Sequence, residues 1–106
     1  MDALFEWDEN KRLKNIEKHG IDFADAVKVF EGFITKRQDT RADYGEERFI
    51  AVGLLNGIEI AVIHTIRGDK TRIISARRAR REERAVYYEE AKRHGYRLRE
   101  TADNER

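Results

Sequence analysis

Five arginines lie within eight positions of the sequence, and their side chains are suited to binding anions. They are Arg77, Arg78, Arg80, Arg81 and Arg84, in the segment RIISARRARREER, residues 72–84. A guanidinium group holds a phosphate through two parallel hydrogen bonds, and a nearby tyrosine ring such as that of Tyr88 can stack on a base. The cluster therefore has the components of an RNA-binding surface, although a solvated helix face would carry similar charges.

A helix predicted from about Arg78 to His94 would place most of these cations on one side. At about 100° per residue, four side chains fall within about 60° of one another: Arg77, Arg81, Arg84 and Tyr88. Three others are expected to point toward a core: Ala79, Val86 and Tyr87. The acids Glu82 and Glu83 lie off the cationic stripe, so they are not expected to neutralise it.

The residues before this helix predict a strand that would hold polar groups rigidly. Ile73 and Ile74 indicate burial, and Arg72, Ser75 and Arg77 lie in or just after the strand. Rigid positioning is what a reaction site needs. Ser75 also fits two structural roles, a small packing residue or a helix N-cap.

Proton transfer has few candidates. His19 ends the first predicted helix, where the helix dipole also favours a cation, and Glu47 lies in a polar loop. His64 alternates with Val62 on a strand and is expected to be structural. Among histidines and carboxylates no spacing is typical of a metal site, and the chain has no cysteine, P-loop or G-x-S-x-G motif. We therefore expect neither a metal nor a cofactor.

The first third of the chain is expected to form one strand followed by two helices. LFEW predicts an edge strand, and Asp8 and Asp22 then begin helices that end at glycines 20 and 32. In the first helix two apolar residues are expected to face inward, and three polar residues to lie on the opposite side. The inward pair is Leu13 and Ile16; the polar set is Lys11, Asn15 and Lys18.

Four strands follow. FITKR predicts one strand, and the polar segment QDTRADYGEE predicts a loop. RFIAVGLL and IEIAVIHTI are strands joined by Asn56-Gly57, the strongest two-residue hairpin signal, and TRIISA follows a second turn. The predicted fold is α+β, in the order β-α-α-β-β-β-β-α, with an antiparallel sheet.

Length and charge limit the classes of protein. The 106 residues suit one domain, expected at 1–95, and 96–106 have too little to bury and are expected to be disordered. No apolar run is long enough for a membrane span, so we expect a cytoplasmic protein without a membrane partner. Residues 1–66 carry 9 Lys and Arg against 13 Asp and Glu, whereas residues 67–106 carry 13 against 8. The C-terminal part, at +5, is therefore the candidate polyanion-binding surface.

The chain resembles the BrnT family of type II toxins almost end to end. The resemblance covers FEWDENKRLKNIEKHGIDFADAVKVFEG and DYGEERFIAVGLLNGIEIAVIHTIRGDKTRIISARRARREERAVYYE, from Phe5 to about Glu89. Its specific motifs are F-x-W-D, K-H-G, Y-G-E-E-R and R-I-I-S-A-R. Composition and spacing by themselves indicate only a β-meander with helices and a one-sided basic surface.

The resemblance implies a RelE-like fold and a toxin that cleaves RNA and halts translation. Its partner would be a small BrnA-like antitoxin with a ribbon-helix-helix module, and operator DNA would be bound only through that antitoxin. On such a fold we expect these catalytic residues: Arg67, Arg72, Ser75, Arg77, Arg78, His19 and Glu47. We expect these RNA-binding residues: Lys18, Arg81, Arg84 and Tyr88. Lys18 is also a candidate for proton transfer, with His19 and Glu47.

Two other functions remain open from the sequence. One is a non-catalytic module whose basic face meets an acidic antitoxin, and the other is a housekeeping nucleic-acid-binding protein. The toxin interpretation makes one sharp prediction about Arg77. As a surface residue that stabilises transition-state charge, it is expected to be needed for toxicity but not for folding.

Overall fold

Strands and helices follow one another in the order that the sequence predicts. The computed structural model describes residues 4–96, so the tail expected at 96–106 lies outside the described residues except for Tyr96. The elements are β1 (Phe5–Trp7), α1 (Glu9–His19), α2 (Phe23–Ala26), β2 (Thr35–Gln38), β3 (Phe49–Leu55), β4 (Ile58–Arg67), β5 (Lys70–Arg78) and α3 (Arg81–Arg93). The prediction of an α+β fold in the order β-α-α-β-β-β-β-α is confirmed.

The strands form one mixed sheet in the order β1-β5-β4-β3-β2. Strands β2 to β5 pair antiparallel, and Asn56 and Gly57 of the β3–β4 hairpin both have positive φ, at 53° and 80°. Strand β1 instead pairs parallel with β5. The prediction of an antiparallel sheet is therefore wrong for this pair. A tight hairpin forces antiparallel pairing on consecutive strands, whereas most of the chain separates β1 from β5 and leaves either direction open.

Apolar side chains cover both faces of the sheet. The face that packs on α2 and on the 3-10 helix Val27–Glu31, here called the α2 face, carries Ile60, Val62, Ile73 and Ala76. The opposite face, here called the α3 face, carries Ile50, Val52, Ala61 and Ile63 under Ala79 and Tyr87. His64 is buried on the α2 face between Phe30 and Phe49, as its alternation with Val62 predicts.

A β-bulge in β5 changes which side chains share a face. Ile73 lies opposite His64 and Ser75 opposite Ile63, so Ile74 has no partner on β4. Cross-strand partners share a face. Arg72, opposite Thr65, therefore lies on the same α3 face as Ser75 and Arg77, although a regular strand would place Arg72 and Ser75 on opposite faces.

Helix α1 has the predicted ends but not the predicted faces. The Asp8 carboxylate accepts hydrogen bonds from the backbone N–H groups of Asn10 and Lys11, and Gly20 ends the helix at φ 72°. Leu13, however, is exposed and Asn15 is buried. A polarity pattern counts asparagine as a surface residue, whereas its amide here bonds backbone groups of β5.

Helix α3 begins later than predicted because β5 is longer. The β4–β5 ladder continues to Ile60 opposite Arg78, so Arg77 and Arg78 belong to a strand. The single helical face containing Arg77, Arg81, Arg84 and Tyr88 therefore does not exist. Tyr87 and Ala79 are buried as expected, but Val86 is exposed.

The second predicted helix changes type along its length. It is α-helical only over Phe23–Ala26 and continues as the 3-10 helix Val27–Glu31, up to Gly32. Among residues 4–96, no helix is both long and apolar enough to cross a membrane.

Candidate functional site

Arg77 is held by a buried carboxylate at the start of α3. Its Nη1 and Nη2 donate to the two carboxylate oxygens of Glu83 at 2.8 and 3.0 Å. The side chains of Arg77 and Glu83 are only 14% and 5% exposed. Glu83 also accepts hydrogen bonds from Arg37 at 3.0 Å and from the backbone N–H of Arg80 at 2.8 Å. The expectation that Arg77 is a surface residue is therefore wrong.

This environment keeps Glu83 ionised. The hydrogen bonds from Arg77 are the main cause that lowers the pKa of Glu83 to about 2, against the opposing effect of burial. The N–H of Arg80 and the Arg37 guanidinium act in the same direction. Glu83 thus stays a carboxylate at physiological pH and holds Arg77 in one orientation.

One edge of the Arg77 guanidinium, the one that carries Nε, is not used by Glu83. Besides its bonds to Glu83, Nη1 donates to the backbone oxygen of Arg78 at 3.2 Å. In the described part of the chain, Nε has no hydrogen-bond partner. A guanidinium carries five N–H donors, so Arg77 can bind Glu83 and still offer Nε–H and one Nη2–H to an anion.

Arg72 and Ser75 lie on the same face of the sheet as Arg77. The Arg72 side chain is 26% exposed, and its Nη1 donates to Glu6 on β1 at 3.2 Å. The Ser75 hydroxyl donates to the Asn15 side-chain oxygen at 3.4 Å. Ser75 and Arg77 are two residues apart on β5, about 7 Å along the strand. We call Arg72, Ser75 and Arg77 the β5 triplet.

The loop before β3 contacts the end of β4, next to the strand that carries the β5 triplet. Glu46 accepts hydrogen bonds from Arg67 at 3.2 Å and from Arg48 at 3.4 Å. The backbone oxygen of Glu47 accepts a 2.6 Å bond from the hydroxyl of Thr65, the cross-strand neighbour of Arg72. Arg67 and Glu47 therefore lie at the edge of the same surface, and the Glu47 residue is exposed.

Of the other predicted residues in this part of the chain, one lies on the other face of the sheet and three belong to α3. Arg78 is exposed and opposite Ile60, which places it on the α2 face. The half-buried Tyr88 donates a 2.5 Å bond to Glu59 and packs on Tyr87, so its ring is not an exposed stacking platform. Arg84 donates to the backbone oxygen of Ala79, and Arg81 is exposed on α3.

The predicted residues on α1 approach β5 from its free edge. Asn15 contacts Ser75 and Ala76, and His19 follows Asn15 by one helical turn, on the same side of the helix. His19 is half-buried and Lys18 is exposed. Both lie on the helix that covers the edge of β5 beyond β1.

Asn15 and Glu83 support the β5 triplet, and neither of them was assigned to the site from the sequence. Where β1 ends, the Asn15 amide replaces a strand partner: it donates to the Ala76 oxygen at 2.9 Å and accepts from the Ala76 N–H at 3.2 Å. It also donates to the Ile21 oxygen at 2.9 Å. For Glu83 a signal was present, since an acid three residues after a helix start is typical of an N-terminal capping interaction.

Two further features describe the surroundings. Within residues 4–96, no three histidine or carboxylate side chains converge as ligands for a metal ion. A cleft of about 500 Å³ between β2 and α3 is lined by both apolar and polar side chains, with Arg37 and Glu83 among the polar ones.

Comparison with known proteins assigns the chain to a family. Residues 7–83 match the family model described as the ribonuclease toxin BrnT of a type II toxin–antitoxin system. No match was found among curated individual proteins. The matched range includes β5 with Arg72, Ser75 and Arg77, and it ends at Glu83, which anchors Arg77. Because the match spans most of the described residues, the chain belongs to the BrnT family of ribonuclease toxins of type II toxin–antitoxin systems.

Proposed function

We propose that this toxin cleaves single-stranded RNA without a metal ion, at a phosphate bound by the β5 triplet. The observation that carries the proposal is the β-bulge, because it brings Arg72 onto the face that already holds Ser75 and Arg77. Two guanidinium groups on one strand supply donors that are fixed before the substrate binds, and the Ser75 hydroxyl between them in sequence is oriented by its bond to Asn15. Preorganised donors of this kind stabilise the charge of the transition state, and in many enzymes this is the largest single contribution to the rate enhancement.

The proposed reaction uses the 2′-hydroxyl of the RNA as the nucleophile. Its oxygen bonds to the adjacent phosphorus while the bond from phosphorus to the 5′-oxygen of the next nucleotide breaks. A base removes the 2′ proton, and an acid protonates the leaving oxygen. The extra negative charge on the phosphate is met by Arg72 and Arg77, so the protein's own cations do the work of a metal.

Glu47 and His19 are the proposed proton-transfer groups, with Lys18 as an alternative acid. Glu47 is exposed beside the neighbour of Arg72, and His19 lies on the α1 side that meets β5 beyond β1. Arg67 lies at the edge of the face, held by Glu46. The register supports leaving Arg78 out of the phosphate site, since it places that residue on the α2 face.

The biological part of the proposal rests on the family. We propose that cleavage halts translation in the cytoplasm, and that the fold is RelE-like. The antitoxin would be a BrnA-like protein with a ribbon-helix-helix module, through which the complex binds operator DNA. Type II systems pair a toxin with a protein antitoxin, which supports a protein partner for this chain.

Cleavage by the purified protein tests the mechanism directly. A labelled single-stranded RNA is incubated with the protein in excess EDTA, and the products are separated on a gel. We expect cleavage to persist in EDTA and to fall by roughly 10²–10³-fold in Arg72→Ala, the loss typical when one charge-stabilising donor is removed. Arg78→Ala is the matched control and should cleave normally. Loss of cleavage in EDTA, or equal losses in both variants, would contradict the proposal.

A further inference from the structure

Three lysines form a stripe along α1. Lys11, Lys14 and Lys18 are exposed, and their side chains take part in none of the ion pairs or hydrogen bonds of the described residues. At about 100° per residue they fall within about 60° of one another, and they span about 10 Å of helix. Lys11, Lys14 and Lys18 are called the α1 stripe below.

The contacts of α1 fix the direction in which this stripe faces. Arg12 pairs with Asp22 at 2.9 Å, at the start of α2, so the Arg12 side of the helix lies toward the α2 face of the sheet. Asn15 points to the free edge of β5, where it bonds Ala76 and Ser75. The stripe flanks Asn15 on the side away from Arg12. It therefore borders the α3 face, on which the β5 triplet lies.

This arrangement of charge is unfavourable for the helix alone. Lys11 and Lys14 are like charges at i,i+3, and Lys14 and Lys18 are like charges at i,i+4, each pair costing about 0.2–0.5 kcal/mol. Lys11 also lies in the first turns, where the helix dipole disfavours a cation. The two acids of α1 do not relieve the repulsion, because Glu9 is bound to Arg12 and Glu17 pairs with no lysine of the stripe.

We propose that the α1 stripe binds the backbone of the RNA strand beside the scissile phosphate. This inference rests on the proposed function, since it extends the β5 triplet into a track for the same strand. A row of positive charges can bind the successive phosphates of a single RNA strand without contacting its bases. Lysine supplies compact, mobile charges of this kind, whereas the arginines of β5 supply fixed bidentate contacts.

Salt dependence of RNA binding tests the stripe. The affinity for a labelled single-stranded RNA is measured over a series of salt concentrations for the unmodified protein and for the triple variant Lys11→Gln, Lys14→Gln, Lys18→Gln. Each phosphate contact on a single strand contributes about 0.7 to the slope of log affinity against log salt. The triple variant should therefore lose about 2 from this slope.

A second triple variant removes as much charge from another part of the surface. This variant combines Lys28→Gln, on the 3-10 helix, with Lys92→Gln and Arg93→Gln, at the end of α3. It should leave the salt dependence of RNA binding unchanged. Equal slopes for the two triple variants would overturn the proposal. So would an unchanged RNA slope accompanied by weaker binding of polyglutamate, because the stripe would then serve an acidic protein.

The two proposals fail in distinguishable ways. Suppose that the protein cleaves no RNA, but that the salt dependence of RNA binding is weaker in the stripe variant. The catalytic proposal is then wrong, and the proposal that the α1 stripe binds RNA is retained. If the protein cleaves RNA and Arg72→Ala does not, but the stripe variant keeps the full slope, only the track is wrong.

Discussion

At the scale of single residues, Arg77 combines a structural role, its pairing with Glu83, with the chemical role that we propose for it. Its Nη1–Nη2 edge is used by Glu83, and its Nε remains without a partner in the described residues. A lysine could not bind Glu83 and an anion in the same way, because its ammonium is a point charge without the two separate donor edges of a planar guanidinium. The carboxylate that restrains Arg77 therefore also keeps its remaining donors pointing in one direction.

Replacing Arg77 should affect both stability and activity. Arg77→Ala leaves the buried Glu83 carboxylate with Arg37 as its remaining side-chain partner, so we expect a loss of about 3 kcal/mol in the free energy of unfolding. We also expect kcat for RNA cleavage to fall on the order of 10²–10³-fold. Urea unfolding and a cleavage assay below the melting transition measure the two effects separately.

Arg78 is the natural control for this measurement. It is exposed on the opposite face, so Arg78→Ala should change the free energy of unfolding by no more than about 0.5 kcal/mol. If the Arg77→Ala and Arg78→Ala proteins had the same free energy of unfolding, the buried Arg77–Glu83 pair would not stabilise the fold as we expect.

The ionisation of Glu83 makes a pH-dependent prediction. Its pKa is about 2 in the folded protein, against an ordinary value of 4.5, so its charge stabilises the fold above about pH 4.5 and this contribution is lost as the pH falls toward 2. Glu83→Gln removes the charge but keeps the shape. The stability difference between the two proteins should be largest near neutral pH and shrink on acidification. Asp39, whose pKa is also about 2, titrates in both proteins and cancels from that difference. Urea titrations at about pH 7, 4 and 3 would show it, and a constant difference would be inconsistent with a titrating Glu83.

At the scale of elements, the bulged strand β5 depends on support from α1. Strand β1 pairs with β5 only as far as Ile73, and Asn15 satisfies the next backbone groups, at Ala76. The support lies directly beside the bulge that places Ser75. A helix residue thus completes the edge of a sheet whose outer strand is only three residues long.

Asn15→Ala should loosen this edge. The change leaves the Ala76 N–H, the Ala76 oxygen and the Ile21 oxygen without the amide, and each unsatisfied buried group costs about 1–3 kcal/mol. We expect faster hydrogen exchange at the Ala76 amide and lower kcat. The amide of Val62, in the centre of the sheet, serves as the internal reference. Unchanged protection at Ala76 would show that another group holds this edge.

Close packing between β3 and the 3-10 helix depends on a glycine. A Cβ at Gly53 would lie 3.0 Å from both Val29 Cβ and Ile34 Cγ2. Gly53→Ala should therefore destabilise the protein by about 1–3 kcal/mol, as overpacking of a core does. Gly32→Ala is the control, because its φ is negative and no atom lies within 4 Å of the added Cβ. Comparison of the two thermal melts measures the effect, and equal melting temperatures would rule it out.

At the scale of the whole molecule, the net charge of +1 hides an uneven surface. Several arginines are neutralised by carboxylates, among them Arg12, Arg37, Arg41 and Arg72. The α1 stripe is not. Arg78, Arg80 and Arg81 are also exposed and have no carboxylate partner among the described residues, so the stripe is one of several unneutralised cationic groups, and it is the one beside the free edge of β5.

This distribution predicts competition between RNA and the antitoxin. If the antitoxin neutralises the toxin by covering the α3 face, a preformed toxin–antitoxin complex should not bind labelled RNA, and the toxin expressed alone should arrest growth. Arg72→Ala, expressed at the same soluble level, should permit growth. RNA and antitoxin bound together in one complex would exclude neutralisation by occupation.

The sequence by itself determined the elements of this protein and their order. Asn56-Gly57 marks a hairpin because both residues tolerate positive φ, and Asp8 and Gly20 mark the ends of α1 because they satisfy its terminal backbone groups. The family motifs also lie along the chain and can be read from it. These signals are local, since each depends on residues within a few positions of one another.

Only the tertiary structure decided which side chains meet. Four features each depend on partners in separate elements: the parallel pairing of β1, the bulge at Ile74, the burial of Asn15 and the Arg77–Glu83 pair. A one-residue change of register moves a side chain to the other face of a sheet, and no local propensity records it. The sequence therefore singled out Arg72, Arg77 and Arg78 as candidates, but the register separated Arg78 from Arg77 and placed Arg72 on the same face as Arg77.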